Sequence, residues 1–578
     1  MSATNASIGA IFDEIADWLE LDQANPFRIR AYRNAARTVG SWPKPLADAA
    51  DGEAAYAELP GIGEDLAEKI GEIVHTGSCA QLKALRQAHP RGLRELLHIP
   101  GIGPKRASRL FHEAGVTTPR RLVGAARAGR LSAMKGFGPR METDLLQAAS
   151  AYLASWHRWK LSFAAQQAEA ISRYLHASKD IASLDVAGSY RRQQDTVGDL
   201  DVLVSAEQGT AVSRRFLAYP DVVRVLSQGP TRSSVVLKSG LQIDLRVVKP
   251  ESFGAAMVYF TGSKAHNVAL RRIARKDGLK INEYGVYRGA RRIAGNTEQS
   301  VYATLGLPPI PPELRENRGE IESARQHQLP ALVERSDLRG DLHVHTDASD
   351  GHASFADMVD AARKAGLSYV AITDHSLGLG VAHGLDAERL ARQIDLIDRF
   401  NETSRDIVVL KGIEIEILED GSLDLPASVL RQLDLVVGAV HSHFKLSRTR
   451  QTERIMRAMD QPCFSILAHP TGRLIGEREA YEVDLGRLIG HARERGCLLE
   501  LNAHPDRLDL NDIGCRMARD GGVQVAISSD SHDENGYAAL RFGVGQARRG
   551  WLERKDVINT LPLKKLCTRL KATMAGAS

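Results

Sequence analysis

The sequence predicts a multidomain protein with a helical front, an α+β middle and an α/β back, because its hydrophobic period changes twice. The first 150 residues read as short helices broken by Gly and Pro. From about residue 184 the period shortens to strand-like runs, LDVAGS, DLDVLV, SSVVLK and LQIDLRVV. After 340, seven strand-like runs alternate with amphipathic helical stretches, beginning DLHVH, YVAIT and IVVLKGIEI. Repeated β-then-α units predict a parallel sheet, here one closed into a barrel. The length of 578 residues fits this division, since about 150 residues per domain gives roughly four domains.

Composition excludes several classes. Hydrophobic residues make up 43% and charged residues 25%, as in soluble globular chains. No apolar run is long enough for a membrane span. The N-terminal stretch MSATNASIGAIFDEIADW has no basic patch and turns acidic at once, unlike a secretory signal. Five scattered cysteines without a CxxC pair predict neither a disulfide framework nor a cysteine zinc site, so a cytoplasmic chain is expected. Charge is unevenly spread. Residues 1–320 carry 43 Lys+Arg against 33 Asp+Glu, whereas 321–578 carry 33 against 38. A basic front predicts a polyanionic partner. Histidine is skewed the other way, with 11 of 19 after residue 338, which predicts metal chemistry at the back.

One phrase recurs three times in the front: Leu59-Pro-Gly61-Ile-Gly63, Ile99-Pro-Gly101-Ile-Gly103 and Met134-Lys-Gly136-Phe-Gly138. Each precedes a helical pattern. Glycine admits close backbone approach and positive φ, and the following helix offers free N–H groups to a phosphate. The phrases resemble helix-hairpin-helix motifs, which implies a sequence-independent grip on DNA by Gly61, Gly63, Gly101, Gly103, Gly136 and Gly138.

In the middle, Gly188-Ser189 ends a strand, Arg191-Arg192 follow, and Gly198-Asp199-Leu-Asp201 opens an apolar run. Residues i and i+2 of a strand face one side, so Asp199 and Asp201 project together. Asp244 lies in a second strand, between Ile243 and Leu245. Three such carboxylates make a hard oxygen site for Mg²⁺ or Mn²⁺, the metals of phosphoryl transfer.

These residues resemble the nucleotidyltransferase signature of family X DNA polymerases, and Tyr259-Phe260-Thr-Gly262-Ser263 and Ile281-Asn-Glu-Tyr284 resemble that family's thumb. The resemblance runs from about residue 5 to 317. It implies Asp199, Asp201 and Asp244 as metal-holding catalytic residues, and Ser189, Arg192 and Gly198 around the incoming triphosphate. It implies Tyr259, Phe260 and Gly262 beside the sugar, Asn267 at the base and Arg271 on the template. Lys69 falls at the lysine that forms a Schiff base with a 5′ deoxyribose phosphate. The sequence departs from the family at Asp65, where animal members carry a phosphate-binding lysine. It departs again at Gln242, which replaces an arginine, and at Lys264, which replaces an acid. The implied division is a lyase-like helical domain over 1–88 and a fingers-like helical region over 89–155. A palm (156–258), a thumb (259–317) and a polar linker (318–337) follow.

The back half carries Asp341-Leu-His343-Val-His345 with Asp350, Thr373-Asp374-His375, Gly412-Ile-Glu414, Val440-His441-Ser-His443, Ala468-His469-Pro470 and Ser529-Asp530-Ser-His532. Each lies at the C-terminal end of an expected strand, the rim where β/α barrels keep their active sites. His343 and His345 share a strand face. This pattern resembles the PHP (polymerase and histidinol phosphatase) domain, over 338–578, which implies a (β/α)7 barrel with a phosphoesterase site. The implied ligands are His343, His345, Asp350, His375, Glu414, His441, His469, Asp530 and His532, holding up to three Mn²⁺ or Zn²⁺ ions.

The order polymerase core then PHP barrel is that of bacterial and archaeal family X polymerases. It implies a DNA repair enzyme that fills short gaps, with 3′–5′ exonuclease and 3′-end-processing activity and abasic-site cleavage alongside. Gapped or nicked DNA and dNTPs are the expected partners, and a monomer the expected state. The alternatives are a repair nuclease that keeps a non-catalytic polymerase core as a DNA clamp, a DNA-binding scaffold with structural metals, and a small-molecule phosphatase.

Overall fold

The computed structural model describes residues 5–574 apart from 23, 42–45, 47–55, 58, 60, 100, 135, 156–157 and 379–381. It divides into two compact units, Met1–His157 and Arg158–Ser578.

The first unit is helical, and one hydrophobic core runs through it from Ile8 to Tyr152. Its three glycine phrases build the same turn. Pro60, Pro100 and Lys135 lie outside the described residues, but the rest of each phrase is seen. Gly61, Gly101 and Gly136 have φ of +77°, +89° and +81°, a conformation that other residues seldom adopt. The apolar residue between each glycine pair, Ile62, Ile102 or Phe137, is buried in the core. Its N–H donates to the carbonyl of Leu59, Ile99 or Met134 at 2.9–3.0 Å. A helix then starts within one residue of the second glycine: Glu64–Thr76, Pro104–Ala114 and Pro139–Ser155.

The second unit opens with a five-stranded sheet of β2 (Ser183–Val186), β4 (Asp199–Ser205), β5 (Val222–Ser227), β6 (Arg232–Leu237) and β7 (Gln242–Val248), in the order β2-β4-β7-β6-β5. Two short strands, β1 (Trp159–Lys160) and β3 (Thr196–Val197), pair beside it. Only β4 and β7 run parallel. Leu200, Val202 and Val204 of β4 and Ile243, Leu245 and Val247 of β7 are buried in one core, which leaves the acids on the opposite face. Helices Phe253–Thr261 and Lys264–Lys276 follow, with the antiparallel β8 (Leu279–Asn282), β9 (Gly285–Arg288) and β10 (Arg291–Ala294).

The stretch 318–337, expected as a polar linker, is largely exposed but anchored by a few buried residues. Helix Glu320–Arg325 buries Ile321 and Ala324 in the core that holds Leu270, Val286 and Tyr302. The fully buried Glu320 carboxylate accepts the Asn317 and Arg318 N–H groups and lies 2.6 Å from His266 Nδ1. Glu320 is the buried exception in a stretch whose other polar residues, such as Glu322, Gln326 and Glu334, are mostly exposed.

The expected barrel strands are present, but hydrogen-bonded as two parallel sheets. One contains β11 (Gly340–Val344), β12 (Tyr369–Ile372) and β13 (Val408–Lys411). The other contains β14 (Glu414–Glu416), β15 (Val437–Ala439), β16 (Ile466–Leu467), β17 (Leu498–Asn502) and β18 (Val525–Ser528). Eight strands stand where seven runs were expected because β13 and β14 are one expected strand interrupted at Gly412, whose missing Cβ would lie 2.7 Å from Thr373 Cγ2. Isolated parallel bridges join the sheets at two points, His375 to Glu414 and Val344 to Ser531.

Candidate active sites

In the first candidate site, the parallel ladder sets Asp201 directly opposite Asp244, and Asp199 opposite Gln242. Gln242 Nε2 donates to Asp244 Oδ1 at 3.0 Å, and Arg232 Nη2 stands 3.8 Å from Asp244 Oδ2. Burial, then the charges of Asp199 and Asp244, push the Asp201 carboxyl up to about 7. Desolvation and Asp244 raise Asp199 as well. Acids crowded into mutual repulsion, with only hard oxygen donors, are suited to a divalent cation.

Of the residues expected around the nucleotide, the Gly188–Arg192 segment and Gly198 adjoin these acids. Gly188 has φ +66° and packs against the Asp201 carboxylate. Ser189 follows on the short helix Gly188–Arg191. Arg192 donates through Nε to Glu316 Oε1 at 2.9 Å and through Nη1 to the Thr261 carbonyl at 2.7 Å. Gly198 lies beside Arg158. Asn267 Nδ2 donates to the Tyr259 carbonyl at 2.6 Å, and the Tyr259 and Phe260 rings meet edge-on at 5.1 Å. A Cβ on Gly262 would lie 2.9 Å from Asn267 Oδ1. Arg271 is exposed on helix Lys264–Lys276.

Lys69, in the first unit, is tied to Asp65 one helical turn earlier, Nζ to Oδ1 at 2.5 Å. Burial pulls the ammonium down, but the bond and charge of Asp65 together with the nearby Tyr32 and Cys79 outweigh it and the pKa is raised. A Schiff base needs the neutral amine, so this pairing works against one.

The second candidate site is tighter. Three groups have ligand atoms within 4.8 Å of one another: His345, Asp350, His375 and His532; His343, His345 and Asp530; and His375, Glu414 and His441. His345 and His375 each belong to two groups. His469 joins through Nε2, 3.0 Å from Glu414 Oε1. The nine expected residues therefore form one connected centre, while His352 and His443 are exposed. His469 and Asp530 sit at φ of +26° and +55° just past their strands, strained backbone that costs about 1 kcal/mol or more each.

His343 Nε2 and both ring nitrogens of His345 are buried without a hydrogen-bond partner among the described residues. Carboxylate oxygens nevertheless lie close, Asp530 Oδ1 being 3.1 Å from His345 Nε2. Nitrogen lone pairs and carboxylates aimed at common points fit bound cations better than they fit each other. Burial, with the neighbouring His532 and His375, lowers His345 to about 3. At His375 burial opposes, but Glu414 and Asp350 carry the ring up to about 10. Burial likewise opposes at His343, which Glu414, Glu500 and Asp530 raise well above the usual imidazole range.

The chain matches the family descriptions helix-hairpin-helix domain over 3–79, SAM-like helix-hairpin-helix tandem over 93–151, DNA polymerase beta palm over 163–274, DNA polymerase beta thumb over 256–316 and PHP domain over 341–504. It is 36% identical to the DNA polymerase/3′-5′ exonuclease PolX of Bacillus subtilis, over 97% of this chain and 98% of that one. The chain belongs to the PolX family. A probable phosphatase of Caldanaerobacter subterraneus is 31% identical over 33% of the chain and 75% of its own length. DNA polymerase lambda of rat is 26% identical over 51% of the chain and 53% of its own.

In this PolX-family chain, three polar residues that hold the histidine-rich centre escaped the sequence reading. Glu500 Oε1 lies 2.7 Å from His343 Nδ1, and Glu416 Oε2 lies 2.9 Å from His441 Nδ1. Asn502 Nδ2 donates to Asp530 Oδ2 at 2.9 Å. Such partners fix ring orientation and tautomer at metal centres. The signal was an acid inside an apolar strand, as in Leu498-Leu-Glu500-Leu and Glu414-Ile-Glu416.

Proposed function

We propose that the chain fills short gaps in DNA by template-directed addition of dNTPs at the Asp199–Asp201–Asp244 site and trims 3′ ends at the histidine-rich site. The observation that carries this reading is the pairing of Asp201 with Asp244 across the parallel β4–β7 ladder, in a chain that matches a PolX over nearly its whole length. Asp199, Asp201 and Asp244 would hold Mg²⁺ or Mn²⁺. His343, His345, Asp350, His375, Glu414, His441, His469, Asp530 and His532 would hold up to three Mn²⁺ or Zn²⁺ ions. When bound, the ions supply positive charge at the attacking and leaving oxygens of phosphoryl transfer and phosphodiester hydrolysis.

The chain's own side chains do the positioning. Arg192 and Ser189 bind the triphosphate, Gly188 leaves room for Asp201, and Asp244 orients the primer 3′ hydroxyl. Asn267 keeps the Tyr259–Gly262 turn in shape beside the sugar. The three glycine turns grip the backbone of a gapped or nicked duplex, with residues 1–88 at the 5′ side of the gap and 89–155 along the duplex. Residues 156–258 and 259–317 make up palm and thumb, and 338–578 the 3′-trimming domain. The working species is a monomer in the cytoplasm. Cleavage of abasic sites through Lys69 would require release of its ammonium from Asp65.

A gapped duplex labelled on the primer, incubated with and without dNTPs and Mn²⁺, tests the reading. Asp244→Ala is expected to lose extension and retain trimming. Extension at the wild-type rate in that variant would overturn the assignment of the polymerase site.

A further inference from the structure

One cluster of paired charge links the Arg192 segment of the nucleotide site to the histidine-rich half. Arg549 ends helix Leu540–Arg549 and is 4% exposed. Its Nη1 donates to Glu316 Oε1 at 3.0 Å and to the Arg192 carbonyl at 2.8 Å, and its Nη2 donates to Asp512 Oδ2 at 2.8 Å. Arg318 Nη1 reaches the same Asp512 oxygen at 2.8 Å. Glu316 Oε1 also takes Arg192 Nε at 2.9 Å and Gln194 Nε2 at 2.6 Å.

A second brace lies one helical turn earlier. Gln546 Nε2 donates to the carbonyl of Gln193 at 2.7 Å, and Gln193 is held at φ +55°. A Cβ on Gly545 would lie 2.7 Å from Gln193 Oε1. The segment Gly188–Gln194, which carries Ser189 and Arg192, is therefore clamped from the side of the histidine-rich half.

We propose that Arg549 is a positioning residue for the nucleotide site: through Glu316 and the Arg192 carbonyl it holds Arg192 in the orientation that receives the triphosphate. The chemistry is consistent with a polyanion. Glu316 and the Thr261 carbonyl occupy Nε and Nη1 of Arg192, and Nη2 faces no partner among the described residues. Three guanidinium groups, Arg192, Arg318 and Arg549, share two carboxylates, Glu316 and Asp512, so the cluster keeps an excess positive charge. Truncating Arg549 would leave Glu316 and Asp512 buried without their shared partner, a costly state that the Arg192 segment relieves by moving. This inference rests on the reading of Arg192 as a triphosphate ligand.

The test is single-nucleotide gap filling by the full chain, with KM for the dNTP, kcat, 3′ trimming and Tm measured on each preparation. Arg549→Ala is expected to raise KM about tenfold while kcat and trimming stay within about twofold. Arg549→Lys, which keeps charge but lacks the planar fork, should fall between. An unchanged KM in folded Arg549→Ala overturns the inference, as does a parallel loss of synthesis, trimming and Tm. If Arg549→Ala does not fold, Gln546→Ala decides: a raised KM supports the clamp and an unaltered one overturns it. Arg192→Ala separates the two levels. A raised KM there beside an unaltered one in Arg549→Ala sinks only the clamp, whereas an unaltered KM in Arg192→Ala sinks the nucleotide-site reading with it.

Discussion

Gly188 shows how little space surrounds the Asp201 carboxylate. A Cβ there would lie 2.6 Å from Asp201 Oδ2, and the residue's φ of +66° disfavours any side chain. Gly188→Ala should therefore cost about 1–3 kcal/mol and lower gap filling by displacing Asp201, as checked by thermal unfolding and primer extension. Asp201 itself carries a penalty. Its carboxyl is pushed up to about 7, so between about pH 4 and 7 the unfolded chain ionises it while the folded chain does not. Stability contributed by this group falls across that window and stays low above it. Asp201→Asn, with divalent cations chelated, should raise stability at pH 8 by roughly 2–4 kcal/mol and show no gain below pH 4, while abolishing synthesis. Equal stability of the two proteins at pH 8 would contradict this account. Both acids were legible as an Asp-x-Asp in an apolar strand. That Asp201 stands directly opposite Asp244, and Asp199 opposite Gln242, was not, because register between strands about 40 residues apart is a tertiary property.

Among elements, the three glycine turns are the part of the fold that sequence reveals most directly, since a repeated local phrase encodes a repeated local structure. Gly101 has φ +89°, and its missing Cβ would sit 3.7 Å from Leu145 Cδ2, so space is available and backbone strain alone opposes a side chain. Gly101→Ala should lower stability by about 1–2 kcal/mol and weaken DNA binding without changing its sequence preference. Titration of labelled duplexes of differing sequence should show log affinity falling linearly with log salt, because phosphate contacts displace counterions. A salt-insensitive affinity would remove the turns from the interface. Less legible were the short barrel strands: β16 has two residues and β13–β14 breaks at Gly412, so the period alone predicted seven uninterrupted strands. Glu320 was hidden for a different reason, since a buried acid paired with His266 looks in sequence like any solvated charge.

On the scale of the whole molecule, two centres with different donors share one compact unit. His343 contributes to the histidine-rich centre alone, with Glu414 and Asp530 beside its Nε2 at 3.2 and 3.6 Å. His343→Ala should eliminate 3′ trimming and bind fewer equivalents of Mn²⁺ or Zn²⁺ by elemental analysis, because losing a ligand weakens the site. Gap filling should persist. Trimming intact in the folded variant would move the nuclease elsewhere in the chain. The order of domains was readable from motifs; the seam between them was not, because Glu316, Asp512 and Arg549 have no local signature and acquire meaning only when three distant segments meet.

The palm's hydrophobic core includes Leu508, Ala539 and Phe542 from the C-terminal half, and the thumb's includes Trp551. A fragment ending near residue 317 would expose those apolar faces to water and strip Glu316 of its Arg549 partner. The two halves thus depend on each other for burial at the seam. Recombination that grafts a foreign barrel onto this polymerase must carry compatible residues at the seam, and an engineer who wants either activity alone does better to silence one centre by point mutation than to cut the chain.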